Sequence, residues 1–173
     1  MKHIYIFRGA PASGKGTIPK AFMRKLTGRI AYIELDTFRW GFHLVNRAIP
    51  DITPEEHQLA YENYLAVLEN YLKNGSYTIV TEGLFSWDKA GPHGNMQDIL
   101  TLSERYGYKA HPILLHSDKE VLWERNLQRP YAVPEAEFNE LYDWVMQQRP
   151  EEETAVDVGA LSVDDVIRLL LQN

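Results

Sequence analysis

One stretch, FRGAPASGKGTIPK at residues 7 to 20, limits what this chain can fold into more than any other. Before it stands HIYIF (3 to 7), a short unbroken apolar run of the kind that forms a strand buried on both faces. After it, from Lys15, Phe22, Met23 and Leu26 recur at helical spacing until TGR at 27 to 29 stops the pattern. Pro19 falls near the first turn of that helix, where a missing N–H costs least. Between strand and helix, Gly9 and Gly14 let backbone N–H groups converge, the helix adds its positive end, and the Lys15 ammonium reaches the same point. Every part of that arrangement serves an anion carrying several oxygens. The strict phosphate-loop pattern G-x-x-x-x-G-K-[ST] is met except at its last position, where Gly16 replaces the hydroxyl residue and Thr17 follows it.

The rest of the chain alternates in the same way. IAYIEL (30 to 35) reads as a second strand, and residues 36 to 52 as an irregular connection with room for a short helix. Thr53, Pro54 and Glu56 announce the next helix as cap, first residue and capping-box partner, and Tyr61, Tyr64, Leu65, Leu68, Tyr71 and Leu72 form its apolar stripe. YTIVTEG (77 to 83) is the third strand, MQDILTLSERYG a helix, and KAHPILLH (109 to 116) contains the fourth strand. Ser117 and Glu120 predict a capping box for the helix that follows, and Pro130 and Pro134 bracket a short loop. A helical stripe of Phe138, Leu141, Tyr142 and Val145, a fifth strand near TAVDV and a helix capped by Ser162 close the chain. Strands alternating with helices predict a three-layer α/β domain, a parallel sheet of about five strands with helices on both faces. Ligands are then expected at the carboxyl ends of the strands, beyond Phe7, Leu35, Thr81 and His116. At 173 residues a single domain over 1–173 is the default.

Composition narrows the partners. A formal net charge of -6 argues against holding extended nucleic acid by phosphate neutralisation, although a local basic pocket stays open. With no cysteine there are no disulfides and no thiolate metal sites. The apolar run in MKHIYIFRGA is short for a signal peptide and no run approaches a membrane span, so the expectation is a cytoplasmic protein without a membrane partner.

The segment GAPASGKGT resembles the G-x-P-x-x-G-K-G-T loop of adenylate kinase and related P-loop kinases, in which Gly follows the lysine and Thr follows the Gly. That resemblance implies a P-loop NTPase fold with a short lid, ATP and Mg²⁺ as cofactors, and Gly9, Ala10, Pro11, Ala12, Ser13, Gly14, Lys15, Gly16 and Thr17 as nucleotide-binding residues. Thr17 then carries the hydroxyl role near Mg²⁺, where a metal-bound water can absorb a shift of one position, and Ser13 assists. Beyond the loop the likeness to nucleoside monophosphate kinases stops: TEGLFSWD stands where they carry D-G-[FY]-P-R with its monophosphate-holding arginine. LDTFRW (35 to 40) instead resembles the D-x-x-R motif of polynucleotide kinases and zeta-toxin-like kinases, in which the aspartate faces the acceptor hydroxyl and the arginine helps hold the acceptor. Chloramphenicol phosphotransferase and gluconate kinase share the general plan. Arg125 and Arg129 in WERNLQRP resemble the R-x-x-x-R of a kinase lid, here about 125–134, whose arginines close over the phosphates.

Each candidate has a chemical reason and a plainer competitor. Asp36, at the mouth of the sheet, can take the acceptor proton, or simply cap a helix. Arg39 can hold the acceptor, or form a surface ion pair. Glu82 stands where P-loop proteins often place the acid that handles Mg²⁺ through water, or pairs structurally with a cation. Arg125 and Arg129 offer planar donor forks, or complete a basic helix end. His43 and Arg47 join the acceptor pocket by proximity to Asp36 alone, and the remaining histidines lack metal-ligand spacing. Phe38, Trp40, Phe42, Phe85 and Trp87 suit the enclosure of a compact acceptor. The reading is an ATP-dependent phosphotransferase with a small-molecule acceptor. The alternatives are a polynucleotide 5′-hydroxyl kinase and a nucleotide-dependent switch with a protein partner. An enclosed pocket opposite the loop favours a kinase over a switch.

Overall fold

The structure, a computed structural model, describes residues 2–40, 52–89, 91, 93–147 and 150–172. His43, Arg47 and Phe42 lie outside the described residues. The central strand is β1 (Lys2–Gly9), flanked by β3 (Thr78–Gly83) and β4 (Tyr108–His116), with β2 (Ile30–Glu34) and β5 (Thr154–Asp157) at the edges. All pairings are parallel, so the expected five-stranded sheet is present. The apolar runs alternate between two cores. On one face, Tyr61, Tyr64, Leu68 and Leu72 of α3 (Pro54–Asn74) and Met96 and Ile99 of α4 (Met96–Arg105) cover Ile4, Ile6, Ile33 and Ile79. On the other, Ile18 and Phe22 of α1 (Ile18–Met23) and Val166, Ile167 and Leu170 of α7 (Val163–Gln172) cover Phe7, Val80, Ile113, Leu115 and Val156. Leu114, facing away from Ile113 and Leu115, meets Leu141 and Val145 of α6 (Glu135–Met146). Leu122 of α5 (Lys119–Leu127) and Phe138 of α6 close around Ala10 of the loop.

Side-chain caps explain where the helices begin. Thr53 Oγ1 accepts the Glu56 N–H at 3.2 Å while Glu56 Oε2 accepts the Thr53 N–H at 2.9 Å, the expected capping box. Ser162 does the same with Asp165, at 3.2 and 3.1 Å. The box expected at Ser117 and Glu120 does not form: β4 runs to His116, α5 starts at Lys119, and Asp118 takes the cap position without a side-chain bond. Ser117, buried, instead lies against Gly159, where a Cβ would come within 2.5 Å of its Oγ. The connection after β2 opens directly as α2 (Leu35–Trp40), so Asp36 sits in a first helical turn rather than before it.

Candidate active site

The loop after β1 is shaped by what glycine permits. A Cβ on Gly9 would stand 2.2 Å from Ser13 Oγ and 2.7 Å from the Leu115 carbonyl oxygen, so the chain can pass this point only without a side chain. Ala12 and Gly14 take left-handed conformations, at φ 65° and 87°. For an alanine that costs on the order of 1 kcal/mol, strain of the kind found at functional loops. The chain then closes through the N–H groups of Thr17 and Ile18, which donate to the Gly14 carbonyl at 2.9 and 2.8 Å. The N–H groups of Gly14, Lys15 and Gly16 have no acceptor among the described residues.

Two buried side-chain atoms near this loop also lack a partner among the described residues, Ser13 Oγ and Glu82 Oε2. Glu82, the penultimate residue of β3, is held from one side by Tyr32 of β2, whose hydroxyl donates to Oε1 at 2.8 Å. Burial pushes its carboxyl up to about 7, against the Lys15 ammonium and the Tyr32 bond, with Glu34 and Asp36 pushing the same way as burial. Three free N–H donors in sequence, a lysine, an orphaned hydroxyl and an orphaned carboxylate oxygen form a donor set that fits a nucleotide's phosphates with a divalent cation. Thr17 is exposed, and its side chain makes no capping bond.

Beside the loop opens a cleft of about 390 Å³. Pro11 and Lys15 line one side, Asp36 and Arg39 of α2 another, and Arg129, Val133, Glu137 and Leu141 the region of α6 and the loop before it. Arg39 is buried and donates from Nη1 to Asp36 Oδ1 at 2.6 Å and from Nη2 to His93 Nδ1 at 3.3 Å. A rooted guanidinium thus fixes a carboxylate that keeps 41% of its side-chain surface exposed. The expected lid arginines separate. Arg129 lines the cleft, whereas Arg125 donates to the carbonyls of Val158 and Gly159, both at 2.9 Å, and is not among the lining residues. They do not share a helical face, because α5 ends at Leu127. Buried Asn126 pins the loop between α5 and α6 by bonding both the N–H and the carbonyl of Val133.

Two histidines that the sequence left unassigned complete the cleft, His57 of α3 and His93 of the β3–α4 connection. His57 carried a signal, since it lies one turn before Tyr61 on the apolar stripe; His93 carried none. Burial and the neighbouring Arg39 lower both imidazoles, His93 to about 4. Three of the aromatic residues expected to enclose an acceptor lie elsewhere: Phe85 is fully buried, Phe38 packs edge-on to Tyr64, and Trp87 bonds Glu153 at 3.2 Å. None of those three lines the cleft, because the sheet and α3 needed their surface first. No group of three or more metal-ligating side chains occurs among the described residues, and no described helix is long and apolar enough to cross a membrane.

Fold and loop together define a P-loop domain of the small-kinase architecture. The chain belongs to the AAA domain family, whose sequence profile matches residues 4–150. No curated protein matches it significantly. Among solved structures it is similar to a provisionally assigned kinase from Chloroflexus aurantiacus, at 18% identity over 99% of this chain and 94% of that one, with a TM-score of 0.72. The tunicamycin resistance protein of Deinococcus radiodurans aligns at 15% identity, 99% and 95% coverage and a TM-score of 0.66. A gluconokinase from Sinorhizobium meliloti aligns at 19%, 98% and 90%, with a TM-score of 0.65.

Proposed function

We propose that the protein is an ATP-dependent phosphotransferase that moves the terminal phosphate of Mg-ATP to a hydroxyl of a small-molecule acceptor. The observation that carries this reading is that Lys15 of the phosphate loop and the Asp36–Arg39 pair line one cleft. Bound Mg-ATP supplies the electrophilic phosphorus and a leaving group whose charge the divalent ion shares. The free N–H groups of the loop and Lys15 hold the phosphates and neutralise charge as it moves. Thr17 and Glu82 would hold the hydrated cation, whose charge favours an ionised Glu82. Asp36, aimed by Arg39, accepts the acceptor proton and aligns its oxygen. Arg129 reaches the moving phosphoryl group from the lid, and Arg125 braces the segment after β5. A cleft of this size beside the loop favours transfer over a switch that presents a flat surface to a partner. The similarity to a gluconokinase points in the same direction.

A screen with γ-labelled Mg-ATP against nucleosides, sugars, aminoglycoside and phenicol antibiotics and 5′-hydroxyl oligonucleotides tests the proposal. Label on a small molecule is expected. Hydrolysis that no acceptor changes would replace it with the switch reading. Label on oligonucleotides alone, with a steeply salt-dependent KM, would replace it with the polynucleotide reading.

A further inference from the structure

The acceptor side of the cleft is more specific than its volume suggests. Arginine can only donate hydrogen bonds, so the contact from Arg39 Nη2 to His93 Nδ1 at 3.3 Å makes that ring nitrogen the acceptor and leaves the His93 proton on Nε2. No bond to that Nε2–H occurs among the described residues. His57, 5.9 Å away ring to ring, has a buried Nδ1 with no partner among the described residues. Burying such an atom unsatisfied is costly, and a ligand is one thing that would satisfy it. One open donor and one open ring nitrogen, on neighbouring rings, match a hydroxyl group, which both accepts and donates. Leu84, Val133 and Leu141 line the same cleft and offer an apolar surface to a ring.

The charges point to the electrical character of the acceptor. Arg39 is already neutralised by Asp36 at 2.6 Å. The other ionised groups of the lining are Lys15, which faces the nucleotide phosphates, and Arg129 and Glu137, which oppose each other in sign. Both imidazoles are held neutral by burial and by Arg39. Among the described residues no buried cation of the lining is left for a carboxylate or phosphate, and no buried anion for an ammonium.

We infer that His57 and His93 form the acceptor-reading subsite and that they select an uncharged, ring-shaped polyhydroxyl compound. The inference rests on the kinase reading, and its test separates the two. Calorimetry first measures binding of the magnesium complex of a non-hydrolysable ATP analogue. Ligand-observed NMR on that complex then compares the uncharged probes D-glucose, myo-inositol and uridine with the charged probes D-gluconate, D-glucosamine and uridine 3′-phosphate. At least one uncharged probe is expected to bind in the millimolar range or below, and more tightly than its charged counterparts. Its affinity should fall about tenfold in His57→Phe and in His93→Phe, the loss of one hydrogen bond. His93→Gln, which keeps a donor and an acceptor, should recover most of it, and nucleotide affinity and melting temperature should hold in every variant used. Tighter binding of a charged probe, no binding of any uncharged one, or unchanged affinity in both Phe variants would overturn the inference while leaving the kinase reading in place. Failure of the nucleotide analogue to bind would overturn both.

Discussion

Replacing Arg8 by Met should be among the most damaging single changes in the chain, although Arg8 touches no part of the cleft. Its guanidinium meets Glu153 in a bidentate pair, Nε to Oε1 and Nη2 to Oε2, both at 2.6 Å, and neither side chain has any exposed surface. Nη1 also donates to the carbonyls of Val145 and Phe85. Without the arginine, Glu153 keeps one donor among the described residues, Trp87 Nε1 at 3.2 Å, and its charge stays buried. Breaking such a pair from one side costs about 3–5 kcal/mol, whereas replacing both partners with apolar groups is often neutral or stabilising. At roughly 2–4 °C per kcal/mol for a chain of this size, Arg8→Met should lower the melting temperature by about 6–20 °C. The double variant Arg8→Met/Glu153→Leu should recover the cost of the uncompensated charge but stay about 1–2 kcal/mol below the wild type, because the Val145 and Phe85 carbonyls still lose their donor. Urea titrations of the four proteins close the cycle. A cost below about 1 kcal/mol for Arg8→Met, or a double variant as unstable as the two single changes added, would refute the reasoning. Because Val145 belongs to α6, which carries the cleft residues Glu137 and Leu141, the refolded double variant should also bind its acceptor less tightly.

Other outcomes follow from the site. Asp36→Asn should keep nucleotide affinity while transfer falls about 100-fold or more, the order expected for losing a general base; near wild-type turnover would reduce Asp36 to a partner of Arg39. Arg129→Ala should lower transfer with an unchanged melt, whereas Arg125→Ala should lose about 1–2 kcal/mol of stability by releasing the Val158 and Gly159 carbonyls, and thermal scans beside turnover separate them. Glu82 gives a pH signature. Its folded carboxyl titrates at about 7 against an ordinary 4.5, so the folded state binds the extra proton between those values, and stability of the ligand-free protein should fall as pH rises through that window, by at most about 3 kcal/mol. The charged and titratable groups around it are Lys15, Tyr32, Glu34 and Asp36. Urea midpoints for Glu82→Gln should lose that slope, and an unchanged slope would assign it to another group.

The parts of the structure legible in the sequence are those that depend on neighbours along the chain. The strand before the Gly9–Thr17 loop, the Thr53 and Ser162 caps and the α3 stripe are local patterns, and each appears as read, whereas the helix read from Lys15 begins only at Ile18 and ends at Met23. Asp36 and Arg39 are three apart, so their contact was within reach of spacing alone. What escaped depends on residues far apart in sequence. Arg8 looks like a strand residue about to enter solvent until Glu153, 145 positions later, is folded over it. His93 enters the cleft only because Arg39, 54 positions earlier, bonds its ring. The Arg125–Arg129 spacing misled because i,i+4 implies a shared face only while the helix lasts, and α5 stops at Leu127. The aromatic residues near the strand ends fit an acceptor pocket by composition, but core burial claimed Phe38 and Phe85.

The central claim is that the loop from Gly9 to Thr17 holds the phosphates of Mg-ATP for transfer, and titration calorimetry of Mg-ATP into the wild type and Lys15→Ala tests it most directly. The wild type should bind with a one-to-one stoichiometry, and the variant should bind substantially more weakly with the same melting temperature, because the exposed part of a lysine contributes little to folding. No heat of binding from the wild type at millimolar Mg-ATP, or equal affinity in Lys15→Ala, would contradict the account.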